Sequence, residues 1–181
     1  MENEQQIIEG CLQQNRRSQE KLYKQFYPGL FALCRSFFED DHDALTALNN
    51  GMLMVFRKID RYDASKGSLF NWAYTVVRNA ALSYIKNKQW LQSYDCIDEQ
   101  LADVRPAPAL ELLEPTLLRS YVDALPVKTR LACVLFYLEG FSIKDIVKHT
   151  GMKEGTVKWH LNESRTRLKE LLTGQHAQRI A

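Results

Sequence analysis

The stretch Gly151–Leu171, GMKEGTVKWHLNESRTRLKEL, decides the fold. Val157, Leu161, Ser164, Leu168 and Leu171 recur at steps of four, three, four and three, which winds them onto one stripe of an α-helix. Lys158, Trp159, Asn162, Arg165 and Lys169 are left outside. For one charged helix taken alone, a solvated surface is the plainer reading, but a Trp on that surface is poorly explained by it. The residues upstream decide between the two. In EGFSIKDIVKHTG, Glu139–Gly151, Ser142 is placed to cap a short helix carrying Ile143, Ile146 and Val147, with Asp145 where a capping box needs its carboxylate. Gly151 then supplies a sharp turn. Two helices joined through a glycine turn, the second longer and polar outside, form a helix-turn-helix.

In that motif the second helix enters the DNA major groove. Lys158 and Arg165 can then reach guanine edges or phosphates, Asn162 can pair with adenine, and Trp159 can pack on a thymine methyl or the sugar wall. Lys153 and Thr156 belong to the same candidate set, Lys153 standing where a Ser or Thr cap is usual and so offering a weaker cap or a phosphate contact. Glu163 is the awkward member. Near phosphates it must accept from a cytosine amino group, pair with Lys169 or a neighbouring Arg, or point away.

Working outward, stripes at Leu118, Tyr121 and Leu125 and, after Pro126, at Leu131, Leu135 and Leu138 add two helices before the motif. The N-terminal half is also helical in pattern. Leu22, Phe26, Leu30, Leu33 and Phe37 mark one amphipathic helix, with Pro28 expected to kink or interrupt it. Leu45, Leu48, Met52, Phe56 and Ile59 mark a second, from Asp43 to Ile59. After the loop DRYDASKGS, Ser68 is placed to cap a third helix with the stripe Leu69, Trp72, Ala73, Val76, Ala80 and Tyr84. No period-two pattern is long enough to make a strand.

The chain has 181 residues, 45% of them hydrophobic, enough for one large domain or two small ones. Its net charge of +2 hides an uneven distribution. Residues 18–88 carry ten Lys or Arg against seven Asp or Glu and residues 116–173 ten against six, whereas residues 89–115 carry one against six. Two mildly basic blocks therefore flank an acidic segment in which VRPAPALELLEP replaces helical periodicity. The expected organisation is a helical domain over 1–88, a flexible acidic linker over 89–115 and a helix-turn-helix domain over 116–181. Cys11, Cys34, Cys96 and Cys133 lie far apart, none at zinc-ligand spacing, and read as free thiols in a reducing cytoplasm. No apolar run approaches the roughly 18 residues of a membrane span. With no metal cluster, no phosphate-cradling glycine loop and no nucleophile–base pair at recognisable spacing, the chain is expected to be a non-enzyme without cofactors.

In the first domain Tyr62, Phe70, Trp72, Tyr74 and Tyr84 interleave with Arg61, Lys66, Arg78, Asn79, Lys86 and Lys88. Aromatics for base stacking and cations for the backbone are what holding a melted single strand requires. Trp72 and Tyr84 fall on the apolar stripe and are read as core. Arg61, Tyr62, Lys66, Ser68, Asn71, Tyr74, Arg78 and Asn79 remain as candidates for DNA.

Taken together, LPVKTRLACVLFYLEGFSIKDIVKHTGMKEGTVKWHLNESRTRLKELL resembles region four of bacterial sigma factors, and LYKQFYPGLFALCRSFF with RYDASKGSLFNWAYTVVRNAALSYIK resembles region two. The whole is similar to the small two-domain extracytoplasmic-function (ECF) group. That resemblance implies an all-α fold and a subunit that brings RNA polymerase core to promoters. The loop and helix from Arg61 would open and read the minus-ten element, and the second domain the minus-thirty-five element. It further implies polymerase contacts through the clamp coiled coil and the flap, an anti-sigma partner, and a linker threading the polymerase channel. The clamp-docking helix departs from the family pattern: DALTALNNGMLMVF, Asp43–Phe56, stands where an acidic segment is common. Its candidate polymerase-binding residues are Asn49, Asn50, Leu53, Met54 and Arg57, the exposed Leu and Met supplying an apolar anchor. Trp159, His160 and Glu163 likewise replace small or basic residues. The competing readings are a free-standing helix-turn-helix repressor or activator, which would need a dimerisation surface, and a protein-interaction module that ignores DNA.

Overall fold

A computed structural model describes residues 4–90 and 120–179, the side chains of 88–90 and 172–179 excepted. Every regular element among the described residues is helical. The chain divides into two compact units, Met1–Asn87 and Lys88–Ala181. From residue 91 on, the segment expected as a linker lies outside the described residues, as do Cys96 and Leu118.

The first unit contains α1 (Glu4–Leu12), α2 (Arg16–Phe37), α3 (Asp41–Lys58) and α4 (Leu69–Trp90), with two 3₁₀ turns, Ile59–Arg61 and Ala64–Lys66, between α3 and α4. Asn15 starts α2 by accepting from the backbone N–H groups of Arg17 and Ser18. Leu22, Phe26, Leu30, Leu33 and Phe37 are all buried, as their spacing requires. Pro28 does not interrupt α2, which runs unbroken through it. The ring stands on the exposed side, where the carbonyl one turn back that loses its donor can take water instead.

The register of α3 differs from the one expected. Its buried face is Asp43, Ala44, Ala47, Leu48, Gly51, Met52 and Val55, while Leu45 is 38% exposed and Phe56 only half-buried. The cause is close helix packing. A Cβ on Gly51 would sit 2.9 Å from the Cα of Val77 on α4, so a residue without a side chain faces the neighbouring backbone there, with Ala44 and Ala47 buried on the same face as Leu48 and Met52. On α4 the buried residues are Leu69, Ala73, Val77, Ala81, Leu82 and Ile85; Trp72, Val76, Ala80 and Tyr84, expected in the core, are half-buried at its edge. Tyr84 keeps its hydroxyl outside the apolar layer by donating to Asp43 Oδ1 at 3.0 Å.

The second unit holds a helical segment α5 (120–123), α6 (Val127–Cys133) continuing into a π-turn Val134–Leu138, α7 (Ile143–Thr150) and α8 (Glu154–Arg179). Tyr121, Leu125, Leu131 and Leu135 are buried as expected, but Leu138 is 54% exposed. The π-turn, closed by Glu139 N–H donating to the Val134 carbonyl at 3.0 Å, adds a residue to the turn and rotates Leu138 outward. Tyr137 packs in its place against the cluster of Tyr121, Leu125, Cys133 and Leu168. The motif itself forms as its residues dictate. Ser142 and Asp145 make both bonds of a capping box, and Gly151 ends α7 in the left-handed conformation at φ 76°.

Candidate nucleic-acid and polymerase interfaces

On α8, Val157, Leu161, Ser164 and Leu168 are buried and Leu171 is half-buried against the core, so the opening stripe is the inner face. Trp159, 37% exposed, Lys153 and Lys169 lie on the outside, with Thr156, Lys158, Asn162, Glu163 and Arg165 half-buried beside them. The polar groups are arranged along the helix. Lys158 Nζ meets Glu154 Oε1 at 2.8 Å. Arg165 Nη2 donates to Asn162 Oδ1 at 2.6 Å, and Arg167 Nε donates to Glu163 Oε1 at 2.5 Å. Glu163 therefore pairs with a neighbouring Arg, and its charge is balanced at i, i+4 spacing. Lys153 occupies the cap position through its carbonyl, which accepts from Val157 N–H at 3.0 Å.

His160 is the α8 residue whose place the sequence did not suggest. It is 4% exposed, with Nδ1 3.0 Å from the hydroxyl of Thr129 on α6. Burial, then the charge of Lys128, pushes its pKa from 6.5 down to about 4, against an opposing pull from Glu163. The signal was present, since residue 160 is three after Val157 and four before Ser164; its polar type concealed it.

In the first unit the loop after α3 is closed by its own side chains. Tyr62 donates its hydroxyl to the Gly67 carbonyl at 3.0 Å, and its ring lies 5.8 Å from that of Trp72. Asp63 accepts from Ser65 and pairs with Lys66 at 3.2 Å, bonds that hold its carboxyl below the usual range, the Ser65 hydroxyl contributing most. Ser68 starts α4, its hydroxyl accepting from Asn71 N–H at 3.3 Å. Arg61, Tyr62, Lys66, Ser68 and Asn71 are thus gathered on one loop and one helix start, with Tyr74 half-buried one turn on, 6.2 Å from the Phe70 ring.

Arg78, half-buried, and Asn79, exposed, lie further along α4. Asn79 lines a groove of about 410 Å³ between α3 and α4 with Asn50, Met54, Lys58, Val76 and Tyr84 among its walls. The candidate polymerase residues are divided by this groove. Asn50 and Met54 face it, whereas exposed Leu53, Asn49 and Arg57 do not line it. Leu45, Asn49, Leu53 and Arg57 instead succeed one another at steps of four along an outer face, Leu53 45% exposed and Asn49 Oδ1 accepting from the Tyr23 hydroxyl at 2.9 Å.

Among the described residues, no group of three or more His, Cys, Asp or Glu could hold a metal ion, and no helix is long and apolar enough to cross a membrane. Cys11, Cys34 and Cys133 are free and buried; burial raises all three thiols, Cys34 to about 12 and Cys133 to about 11.

Comparison with known proteins adds the family. Residues 22–91 match the profile of Sigma-70 region 2, and residues 116–168 that of Sigma-70 region 4. The chain is 31% identical over 160 residues to the ECF RNA polymerase sigma factor SigM of Mycobacterium tuberculosis, covering 84% of this chain and 76% of that one. It is 27% identical over 154 residues to the ECF RNA polymerase sigma factor SigM of Bacillus subtilis, covering 84% and 93%. Among solved structures, the sigma factor RpoE from Bartonella quintana, in complex with the anti-sigma factor NepR, aligns over 85% of this chain and 96% of its own, at 23% identity and a TM-score of 0.45. With both regions matched in order along one chain, and a mycobacterial relative aligned over most of its length, this protein belongs to the ECF RNA polymerase sigma factors, which direct the polymerase to promoters.

Proposed function

We propose a division of this work among four surfaces. The outer face of α8, from Lys153 and Thr156 through Lys158, Trp159 and Asn162, reads the upstream promoter element, with Glu163, Arg165 and Lys169 setting its charge and phosphate contacts. The observation that carries this reading is Trp159, exposed on the outer face of a helix whose inner residues Val157, Leu161, Ser164 and Leu168 are buried in the core. The loop residues Arg61, Tyr62, Lys66, Ser68 and Asn71, with Tyr74 and Arg78, capture the melted downstream strand. Asn79 acts with Asn50 and Met54 in the α3–α4 groove, whose size and mixture of apolar wall and amide groups suit an unstacked base. The outer α3 face, Leu45, Asn49, Leu53 and Arg57, docks on the clamp of the polymerase.

The domains on this reading are 1–88 and 116–181, joined by the acidic linker 89–115. The protein works in the cytoplasm, without catalytic activity or cofactor of its own. An anti-sigma protein is a further partner, covering the same outer α3 face; excess core polymerase should then displace it, and a ternary complex would exclude a shared face.

Two variants of the full chain test the division. Leu53→Asp should weaken core binding while leaving helix content unchanged, and native affinity would remove α3 from the interface. Tyr62→Ala should impair promoter opening but be rescued by a pre-melted template, since stacking is worth about 1–3 kcal/mol per base only once a strand is exposed. Absence of rescue would end the strand-capture role.

A further inference from the structure

We infer that His160 is a positioning residue for promoter reading, a latch that fixes the rotation of α8 against α6 through Thr129 and so sets where Trp159 meets DNA. The inference rests on the proposal that α8 reads the upstream element.

His160 is an expensive way to fill its site. Its Nδ1 has one partner, the buried Thr129 hydroxyl at 3.0 Å, and its Nε2 is buried with none. A leucine would occupy similar space without an unsatisfied nitrogen, so packing alone does not account for the imidazole. What the imidazole adds is one directed bond between the helix before the motif and the reading helix. Its ring also stands steeply inclined to the indole of its chain neighbour Trp159, with centroids 4.9 Å apart and planes at 75°. Thr129, His160 and Trp159 thus form a continuous path from the core of the second unit to its outer face. Because burial and Lys128 keep the imidazole neutral, the latch is a single bond between uncharged groups at ordinary pH.

The mechanical consequence follows from helix geometry. Side-chain tips lie roughly 6 Å from the axis, so a roll of about 10° moves them by about 1 Å. A base-edge hydrogen bond tolerates only a few tenths of an ångström before it weakens, whereas a phosphate contact made by a long lysine follows the movement. Loss of the latch should therefore blur discrimination more than it lowers affinity.

The test compares Thr129→Val, which removes the hydroxyl at nearly equal shape, with Thr129→Ser, which keeps it. Each full-length variant is bound to core polymerase, and its affinity is measured for the preferred upstream element and for every single-base-pair change in it. Thr129→Val should lose about two- to tenfold in discrimination at the base pairs beneath Trp159, the worth of one hydrogen bond, with core binding unchanged. Thr129→Ser should recover most of it. A second pair asks the same from α8: His160→Gln, able to keep a bond to Thr129, should discriminate better than His160→Leu even where leucine gives the higher melting temperature. Equal discrimination within both pairs, whatever their stabilities, would make His160 a packing residue and overturn the latch. A native holoenzyme indifferent to the upstream sequence would instead overturn the reading of α8 on which the latch rests.

Discussion

The two units solve the problem of a small helical core differently. In the first, the buried face of α3 mixes Ala44, Ala47 and Gly51 with Leu48, Met52 and Val55, Gly51 lying against the α4 backbone, and Asp43 is the buried polar residue among the described ones. In the second, Thr129, Thr150, His160 and Ser164 are all buried beside the apolar residues. Each of these polar groups has a partner: Thr150 donates to the Ile146 carbonyl at 2.7 Å and Ser164 to the Leu161 carbonyl at 2.8 Å, both within one helix, whereas Thr129 and His160 bond each other across α6 and α8, as Tyr84 and Asp43 do across α4 and α3 in the first unit. The lesson is directional. Close packing fixes how near two helices approach, whereas a directed bond also fixes how one is turned, which matters most where a core helix presents its other face to DNA.

The contrast can be broken most severely by opening a cavity in the first unit. Leu48 is fully buried, and Leu48→Ala should cost about 2–5 kcal/mol in chemical denaturation, with polymerase binding lost in proportion to folding. Overpacking the same helix should come next. Gly51→Ala would gain about 1 kcal/mol in helix propensity, but its Cβ at 2.9 Å from the Val77 backbone should turn this into a net loss of about 1–3 kcal/mol. A stabilised Gly51→Ala protein would show that the α3–α4 contact is looser than described.

The second unit should be sensitive instead to acid. The folded pKa of His160 lies at about 4, below the ordinary 6.5, so between these values the unfolded chain binds more protons. Protection of α8 amides from hydrogen exchange, corrected for intrinsic rates, should fall as pH drops from about 6.5 towards 4. In His160→Leu the upper part of that slope should vanish, leaving only the loss near the acid end from the Glu154 and Asp145 carboxyls, held below their usual range by Lys158 and Ser142. A slope unchanged in the variant would assign the acid sensitivity to another group.

The stripe on α8 and the helix start at Ser142 were legible because large apolar residues and a capping pair mark them without ambiguity. So was the α2 stripe. The α3 register was not, because periodicity counted Leu45 and Phe56 and overlooked Ala44, Ala47 and Gly51, whose burial reflects proximity rather than hydrophobicity. Leu138 was misplaced because a π-turn adds a residue that no 3.6-residue period contains. At the candidate site, the outward residues of α8 could be read from its stripe, whereas the groove shared by Asn50, Met54 and Asn79 depends on how α3 and α4 meet.

The smallest stability effect should come from Trp159→Ala, within about 0.5 kcal/mol of native as for an ordinary surface site, while promoter preference changes. A loss near the roughly 3–5 kcal/mol of a truncated buried aromatic would place the indole in the core.

The most direct measurement is transcription by core polymerase and this chain on templates whose upstream and downstream elements are randomised. Native chain should enrich transcripts from templates sharing both elements, and Asn162→Ala should relax the choice at one upstream base pair, worth about 1–3 kcal/mol, leaving the downstream element unchanged. Transcripts without a common upstream element, or an Asn162→Ala profile identical to native, would contradict the assignment of promoter reading to the outer face of α8.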